Sequence, residues 1–295
     1  MITKTAMITI AGRPNVGKST LTNQLVGEKI SIVTNKPQTT RNRICAVLNR
    51  NETQIILMDT PGFHKARTKL GDYMVNVVQE SVSDVDAVVL MIEPIAAIGK
   101  QEEALIERLR QIQVPTILVI NKIDTVKKEE LLEVMAVYSE AFQFDAIIPI
   151  SARRGEGTDI LLKKLEEYAQ EGPQLFPDDM ITDQPEKQIC AEIVREKLLL
   201  CLDKEIPHGT AVEVTRFTER DNGIIDLDVT IYCEKASHKG IIIGKQGSSL
   251  KRIGEMARVD IEKFMGTKVF LQTWVKVKEN WRDSQSLLRN FGFTE

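Results

Sequence analysis

Eight residues near the amino terminus, Gly12-Arg13-Pro14-Asn15-Val16-Gly17-Lys18-Ser19, have the types and spacing needed to hold a phosphate chain. The glycines let backbone N–H groups curl around anionic oxygens, and a helix beginning there adds the positive end of its dipole. Lys18 supplies a point charge to the outer phosphates, and Ser19 offers a hydroxyl to Mg²⁺. The pattern G-x-x-x-x-G-K-[ST] carries this meaning only between a strand and a helix. Both are expected here: an apolar run, Met7-Ile8-Thr9-Ile10-Ala11, precedes it, and a helical pattern from Ser19 to Val26 follows.

Phosphate loops serve ATP and GTP alike, so the base must be read elsewhere. Asn121-Lys122-Ile123-Asp124 follows the apolar run Thr116 to Ile120. A carboxylate there can accept from both N1–H and the exocyclic amine of guanine, a pair adenine does not offer. The wrong base would leave buried polar groups unmatched. Ser151-Ala152-Arg153 stands at another strand end, and Asp59-Thr60-Pro61-Gly62 at a third. Asp59 is expected to hold the water shell of Mg²⁺, and the Gly62 N–H to sense the γ-phosphate. Gln38-Thr39-Thr40-Arg41 lies in a polar stretch where a loop hydroxyl could complete the Mg²⁺ shell. All these segments fall at carboxyl ends of strands, where open α/β sheets bind ligands.

This set resembles the five motifs of the translation-factor-related small GTPases, over residues 6 to 170. The resemblance implies that Thr40, or Thr39, ligates Mg²⁺ with Ser19 and Asp59. It implies that Asn121 and Asp124 read guanine, that Lys122 packs along base and ribose, and that the Ala152 N–H reaches the base oxygen. Lys18, Thr40, Gly62 and Asn15 are then the catalytic candidates, and Gly12 to Ser19, Asp59 to Gly62, Asn121, Lys122, Asp124, Ser151 and Ala152 the nucleotide contacts. Phe63 follows Gly62 where Ras-like GTPases carry a glutamine that orients the attacking water. Phenylalanine cannot bond a water, so slow intrinsic hydrolysis is expected. Phosphate-loop asparagine with this loop type is associated with potassium-stimulated GTPases, which makes Asn15 a candidate K⁺ ligand.

A second constellation lies near the carboxyl terminus: Ile241-Ile242-Ile243-Gly244-Lys245-Gln246-Gly247-Ser248, then Leu250-Lys251-Arg252. It resembles the I-G-x-x-G loop of KH RNA-binding domains, whose glycines admit a nucleic-acid backbone. From Lys235 to Arg252 there are five basic residues and no acidic one. Phosphate contacts of this kind supply affinity, while bases are read beside the loop. Lys239, Ile243, Gly244, Lys245, Gln246, Gly247, Lys251 and Arg252 are the candidate RNA contacts. Trp274 is expected at the core or its rim, and Phe217 in packing.

The elements that must position these groups are legible in outline. Five near-continuous Ile/Val-rich runs before residue 150 alternate with helical patterns at Ser19–Val26, Tyr73–Ser81, Glu102–Gln111, Lys128–Ala141 and Thr158–Tyr168. That order predicts an α/β P-loop domain, mostly parallel, with helices on both faces. Residues 171–186 contain three prolines, five acidic residues and no basic one, the signature of a linker. After it come a helix (Ile189–Leu202), two strands (Val212–Thr218, Ile224–Cys233), the glycine loop, a long helix (Ser248–Met265) and a last strand (Val269–Val277). This fits an α+β type II KH domain. The domains are expected at 1–172 and 187–295, with a linker at 173–186.

The 295 residues carry a net charge of −3 that conceals an asymmetry: −5 before residue 187 and +2 from residue 187 onward. The four cysteines, none in C-x-x-C spacing, and three histidines suggest neither zinc nor a disulfide framework. A cytoplasmic location is expected, because no signal-peptide pattern or membrane-length apolar run occurs.

Taken with Thr182-Asp183-Gln184 and Ile193-Val194-Arg195-Glu196-Lys197, the combination resembles the Era family of bacterial GTPases over essentially the whole chain. The resemblance implies a monomeric GTP-hydrolysing switch that binds the 3′ end of 16S rRNA and assists 30S subunit maturation. It also implies peripheral association with the inner face of the membrane, which no amphipathic helix here independently supports. Two other readings stay open from the residues alone: a tRNA-modification GTPase whose second domain binds protein, and an RNA-binding module with a structural nucleotide site. The basic run Lys65, Arg67, Lys69 fits a solvated loop or an RNA-touching arm.

Overall fold

Ala87–Ile92 is six apolar residues long and every one is buried, so this segment must lie at the centre of a sheet covered on both faces. The computed structural model, which describes residues 2–62, 68–81 and 85–293, has this arrangement. In chain order the first part contains β1 (Lys4–Gly12), α1 (Lys18–Val26), β2 (Ile44–Arg50), β3 (Thr53–Asp59), α2 (Lys69–Glu80), β4 (Ala87–Ile92) and α3 (Lys100–Ile112). It continues with β5 (Thr116–Ile120), α4 (Lys128–Ala141), β6 (Ala146–Pro149), α5 (Thr158–Glu166) and the short β7 (Gln170–Glu171). The sheet runs β2-β3-β1-β4-β5-β6, with β7 pairing the start of β1. The central pairs are parallel, and only β2–β3 and β7–β1 are antiparallel.

Period-two alternation sorts side chains between the two faces. Ile8, Ile10, Val89, Met91, Ile117 and Val119 join one core with Leu21 of α1 and Leu161 and Leu165 of α5. Val88, Leu90, Ile92, Leu118 and Ile120 join the other with Leu105 and Leu109 of α3 and Val134 and Tyr138 of α4. The parallel order puts the carboxyl ends of β1, β3, β4, β5 and β6 on one edge of the sheet, where the predicted motifs lie.

The second part contains α6 (Glu186–Cys201), β8 (Thr210–Glu219), β9 (Ile225–Cys233), α7 (Ala236–Ile243), α8 (Ser248–Met265), β10 (Val269–Val277) and α9 (Gln285–Asn290). Its sheet is β10-β9-β8, with β10 parallel and β8 antiparallel to β9. Leu227, Val229, Ile231 and Cys233 of β9 pack against Ile193 and Leu198 of α6, Ile242 of α7, and Ile253, Ala257 and Ile261 of α8. Trp281 is fully buried and donates from its indole nitrogen to the Gly209 carbonyl at 3.0 Å.

Several elements differ from expectation. The antiparallel β2 lies outside the five expected apolar runs. Its edge is covered by the region expected as a linker: the Val47 N–H donates to the Ile181 carbonyl at 2.9 Å, and Ala46 pairs with Thr182. Ile241-Ile242-Ile243 was expected to lead straight into the glycine loop but closes a helix, α7, over Ala236–Ile243, because three consecutive isoleucines look equally strand-like and helical. By contact, residues 2–31, 40–62, 74–81 and 85–183 form one unit, and 32–39, 68–73 and 184–293 the other. The expected linker is thus divided at Asp183, and a short early segment, 32–39, belongs to the later unit. All four cysteines are free thiols.

Candidate functional site

The turn from β1 into α1 is the phosphate loop. Gly17 stands at the amino end of α1 with φ 107°, and no side chain caps that end, so its first N–H groups remain available to an anion. Asn15 also takes a left-handed conformation, φ 67°. Lys18 is buried and donates to the carbonyls of Gly12 at 3.1 Å and Arg13 at 3.0 Å. Burial pushes its pKa down to about 8 against the attraction of Asp59. A phosphate would offer that ammonium a full negative partner in place of two carbonyls.

Asp59 ends β3 with no exposed surface, and neither carboxylate oxygen has a well-formed hydrogen bond among the described residues. Burial raises its pKa, although Lys18 and the Ser19 and Ser31 hydroxyls favour the charged form. A buried, unsatisfied carboxylate is costly unless something cationic completes it. The Ser19 and Thr40 hydroxyls lie 2.9 Å apart. Two hydroxyls and a carboxylate are hard oxygen donors of the kind Mg²⁺ takes alongside phosphate and water, so the residues fit that ion. The Thr39 hydroxyl instead bonds the Thr34 hydroxyl at 2.8 Å and the Lys36 carbonyl at 2.7 Å. Of the two candidate threonines, it is the Thr40 hydroxyl that lies beside Ser19.

Gly62 is pressed against the phosphate loop: a Cβ there would stand 2.7 Å from both Cα and N of Pro14. Thr60 anchors the same turn, its hydroxyl donating to the Ile10 carbonyl at 2.9 Å. Phe63, Lys65 and Arg67 lie outside the described residues.

The base-reading segments lock onto the phosphate loop. Asn121 is buried, donates to the Val16 carbonyl at 2.7 Å, and accepts from the Ala152 N–H at 2.9 Å. Its side chain ties three loops together. Lys122 donates to the Asn15 carbonyl at 2.8 Å. Asp124 accepts from the Ser151 hydroxyl at 2.8 Å, which holds its carboxyl below the usual range and keeps it an ionised acceptor. The predicted nucleotide residues are thus gathered in one unit. Two carboxylates that belong to no motif, Glu93 just past β4 and Glu102 of α3, both form ion pairs with Arg13. The only sequence signal for Glu93 was an acidic residue directly after a central strand.

In the second unit α7 ends at Ile243, and one tight turn, Lys245–Gly247, leads into α8. Gly244 has φ 74°, and a Cβ there would stand 2.7 Å from the Ser249 Cβ, so only glycine suits this turn. No side chain caps the start of α8. Lys245, Gln246, Lys251 and Arg252 are exposed around it and Lys239 is half-buried. Ile243 packs against the core, which makes it a support for the loop. Trp274 departs from expectation, being 56% exposed on β10 with Phe270 at 51%. Even-numbered residues of this strand face away from the helices. Phe217 packs against the core, as expected.

A family model described as a 50S ribosome-binding GTPase matches residues 7–122, and a KH domain model matches residues 205–282. Among curated relatives, GTPase Era of Ruminiclostridium cellulolyticum is 53% identical over 98% of this chain and 97% of its own. GTPase Era of Clostridioides difficile is 50% identical over 99% of both chains. Two solved structures each give a TM-score of 0.95 at 37% identity, covering 99% of this chain and 100% of theirs. One is Era in complex with MgGDPNP and nucleotides 1506–1542 of 16S ribosomal RNA. The other is a variant of Aquifex aeolicus Era bound to GDP and aluminium fluoride.

Proposed function

The chain belongs to the Era GTPase family, and from that premise we propose a GTP-driven switch that binds the 3′ end of 16S rRNA and assists assembly and maturation of the 30S subunit. The observation that carries this reading is the presence, in one chain, of a guanine-reading phosphate site and a glycine loop opening a basic helix. The relative solved with MgGDPNP and a 16S rRNA fragment uses both ligand classes at once.

Each residue has a task in hydrolysis. Backbone N–H groups of the phosphate loop and the Lys18 ammonium hold the β- and γ-phosphates and offset charge as the terminal phosphoryl leaves. Ser19, Thr40 and Asp59 would hold Mg²⁺, which would supply positive charge to offset that of the phosphates. The Gly62 N–H would bond a γ-phosphate oxygen. Asp124 accepts from the guanine edge, while Asn121 keeps that loop in register with the phosphates. K⁺ at Asn15 belongs to the proposal as the charge that other GTPases take from an arginine; equal GTPase rates in Na⁺ and K⁺ would remove it.

The switch reading draws on Thr40. Its neighbours 32–39 cluster with the C-terminal unit, where Arg195 of α6 donates to the Thr39 carbonyl and the Val33 N–H donates to Glu196 at 3.0 Å. A change at Thr40 on exchange of GDP for GTP would pull on that segment. The family reading extends to a cytoplasmic monomer with peripheral association at the inner membrane face. No described helix is long and apolar enough to cross a membrane.

The test is equilibrium binding of a labelled 16S 3′-end oligonucleotide at fixed salt, with GDP and with a non-hydrolysable GTP analogue. Tighter binding with the analogue supports both partner and switch. Equal binding removes the switch. Absence of binding in both states, or full binding by Gly244→Asp/Gly247→Asp, overturns the RNA reading.

A further inference from the structure

The sheet order places β4 between β1 and β5. The phosphate loop follows β1, and the base-reading segment follows β5. A side chain just past the carboxyl end of β4 therefore stands between them, and that residue is Glu93.

Glu93 uses both oxygens. One pairs with the Arg13 guanidinium at 3.3 Å, the other with the Lys122 ammonium. Arg13 is also paired through Nε to Glu102, a carboxylate of α3 buried to 2% exposure. Lys122 has its second contact at the Asn15 carbonyl. Two cations and two carboxylates thus alternate in the order Lys122, Glu93, Arg13, Glu102. Without Glu93, Arg13 and Lys122 would face each other as like charges, each still fixed to the loop by its own backbone or its second contact. The Glu93 and Lys122 side chains are partly shielded, at 28% and 37% exposure, so the pairs are screened less than free surface ions.

We infer that Glu93 is a positioning residue for guanine nucleotide, bridging Arg13 of the phosphate loop to Lys122 of the base-reading segment and so fixing the distance between the two halves of the site. It touches neither base nor phosphate. It acts by holding Lys122 along the nucleoside and restraining the phosphate loop at Arg13. Its loss loosens the grip on GDP and GTP alike, with no change in which base is preferred. The inference rests on the nucleotide reading above.

The experiment follows release of fluorescent GDP and of a fluorescent non-hydrolysable GTP analogue from the full-length protein by displacement. Wild type comes first: if it retains neither nucleotide, the nucleotide reading itself falls. Given retention, Glu93→Gln should release both roughly 3- to 10-fold faster, the effect of one partly shielded charge pair. The acceleration should be the same for GDP and IDP, because the bridge does not contact the base edge. In a Lys122→Ala background, adding Glu93→Gln should change release less than twofold, since the bridge is already broken at its Lys122 end and the Arg13 pair alone no longer joins the two segments. Multiplying effects would indicate general loosening of the fold and overturn the inference, as would wild-type release from Glu93→Gln. One measurement needs no variant. Raising salt from 50 to 500 mM should accelerate release from wild type as the bridge is screened, and an unchanged rate counts against it. Glu93→Asp, which keeps the charge on a shorter arm, should restore part of the retention.

Discussion

Nucleotide affinity should weaken as pH rises above neutrality, and Lys18 sets the midpoint. In the free protein burial lowers its pKa to about 8, while against bound phosphates the ammonium stays charged. Binding therefore favours the protonated lysine, and affinity is full below pH 8 and lost as the free protein deprotonates. Between pH 6.5 and 8.5 the charged fraction falls from nearly all to roughly one quarter, so Kd should rise about fourfold, about 0.8 kcal/mol. That range stops short of titrating guanine. The stability sign runs the other way. The unfolded chain holds this proton more tightly than the folded one, so Lys18 penalises the free fold below about pH 8. The penalty fades between there and the ordinary lysine value. The assay is equilibrium titration with fluorescent GDP in saturating Mg²⁺ across that range, with Lys18→Ala in parallel. A flat wild-type profile, or a slope surviving in Lys18→Ala, would refute the reasoning.

Asn121→Ala leaves the Val16 carbonyl and the Ala152 N–H without their buried partner; about 2 to 5 kcal/mol of stability should be lost, read as a lower urea midpoint with unchanged slope. Gly62→Ala drives a methyl against the Pro14 backbone; single-turnover hydrolysis should fall on the order of tenfold or more through misplacement of the loop, with GDP binding retained. Arg195→Lys keeps the charge but loses the planar fork that reaches both Glu192 and the Thr39 carbonyl. The ratio of RNA affinities in the two nucleotide states should move towards one, and a ratio equal to wild type would remove Arg195 from the coupling.

The nucleotide site was legible because its chemistry is local. Gly12 to Ser19, Asp59, Asn121, Asp124 and Ala152 each sit at a strand end that five apolar runs had already marked. What escaped depended on lateral strand order. Glu93 means nothing until β4 is known to lie between β1 and β5. The strand β2 escaped because it forms an antiparallel edge beside a polar connection, and residues 181–183 that cover it are far away in sequence. The helix α7 escaped because Ile241-Ile242-Ile243 gives no period that separates helix from strand. Trp274 was placed at the core or rim from its position on an alternating strand, yet it is on the solvent side of an edge strand. Alternation allows either face, and only the packing of Val269 and Val275 against α8 decides it.

The most informative departure is in α6. Arg195, Glu196 and Lys197 are three consecutive charged residues, yet all three are buried. Burying charge is expensive, and apolar residues of similar volume often serve stability better. Here each charge is held. Arg195 pairs with Glu192 at 2.5 Å, and Lys197 with Glu196 at 2.6 Å and with Asp260 of α8. For Lys197 burial alone would lower the pKa, but the bonds to Asp260 and Glu196 outweigh it and raise it. Arg195 also donates to the Thr39 carbonyl, and Glu196 accepts from the Val33 N–H. An apolar helix could pack as well against β8 and α8, but it could not hydrogen-bond an extended segment lacking a ladder of its own. The buried charges are therefore best explained by what they grip, the stretch that ends one residue before Thr40, the threonine proposed to hold Mg²⁺. Backbone contacts of this kind can be made and broken as a set, which is what a two-state element requires.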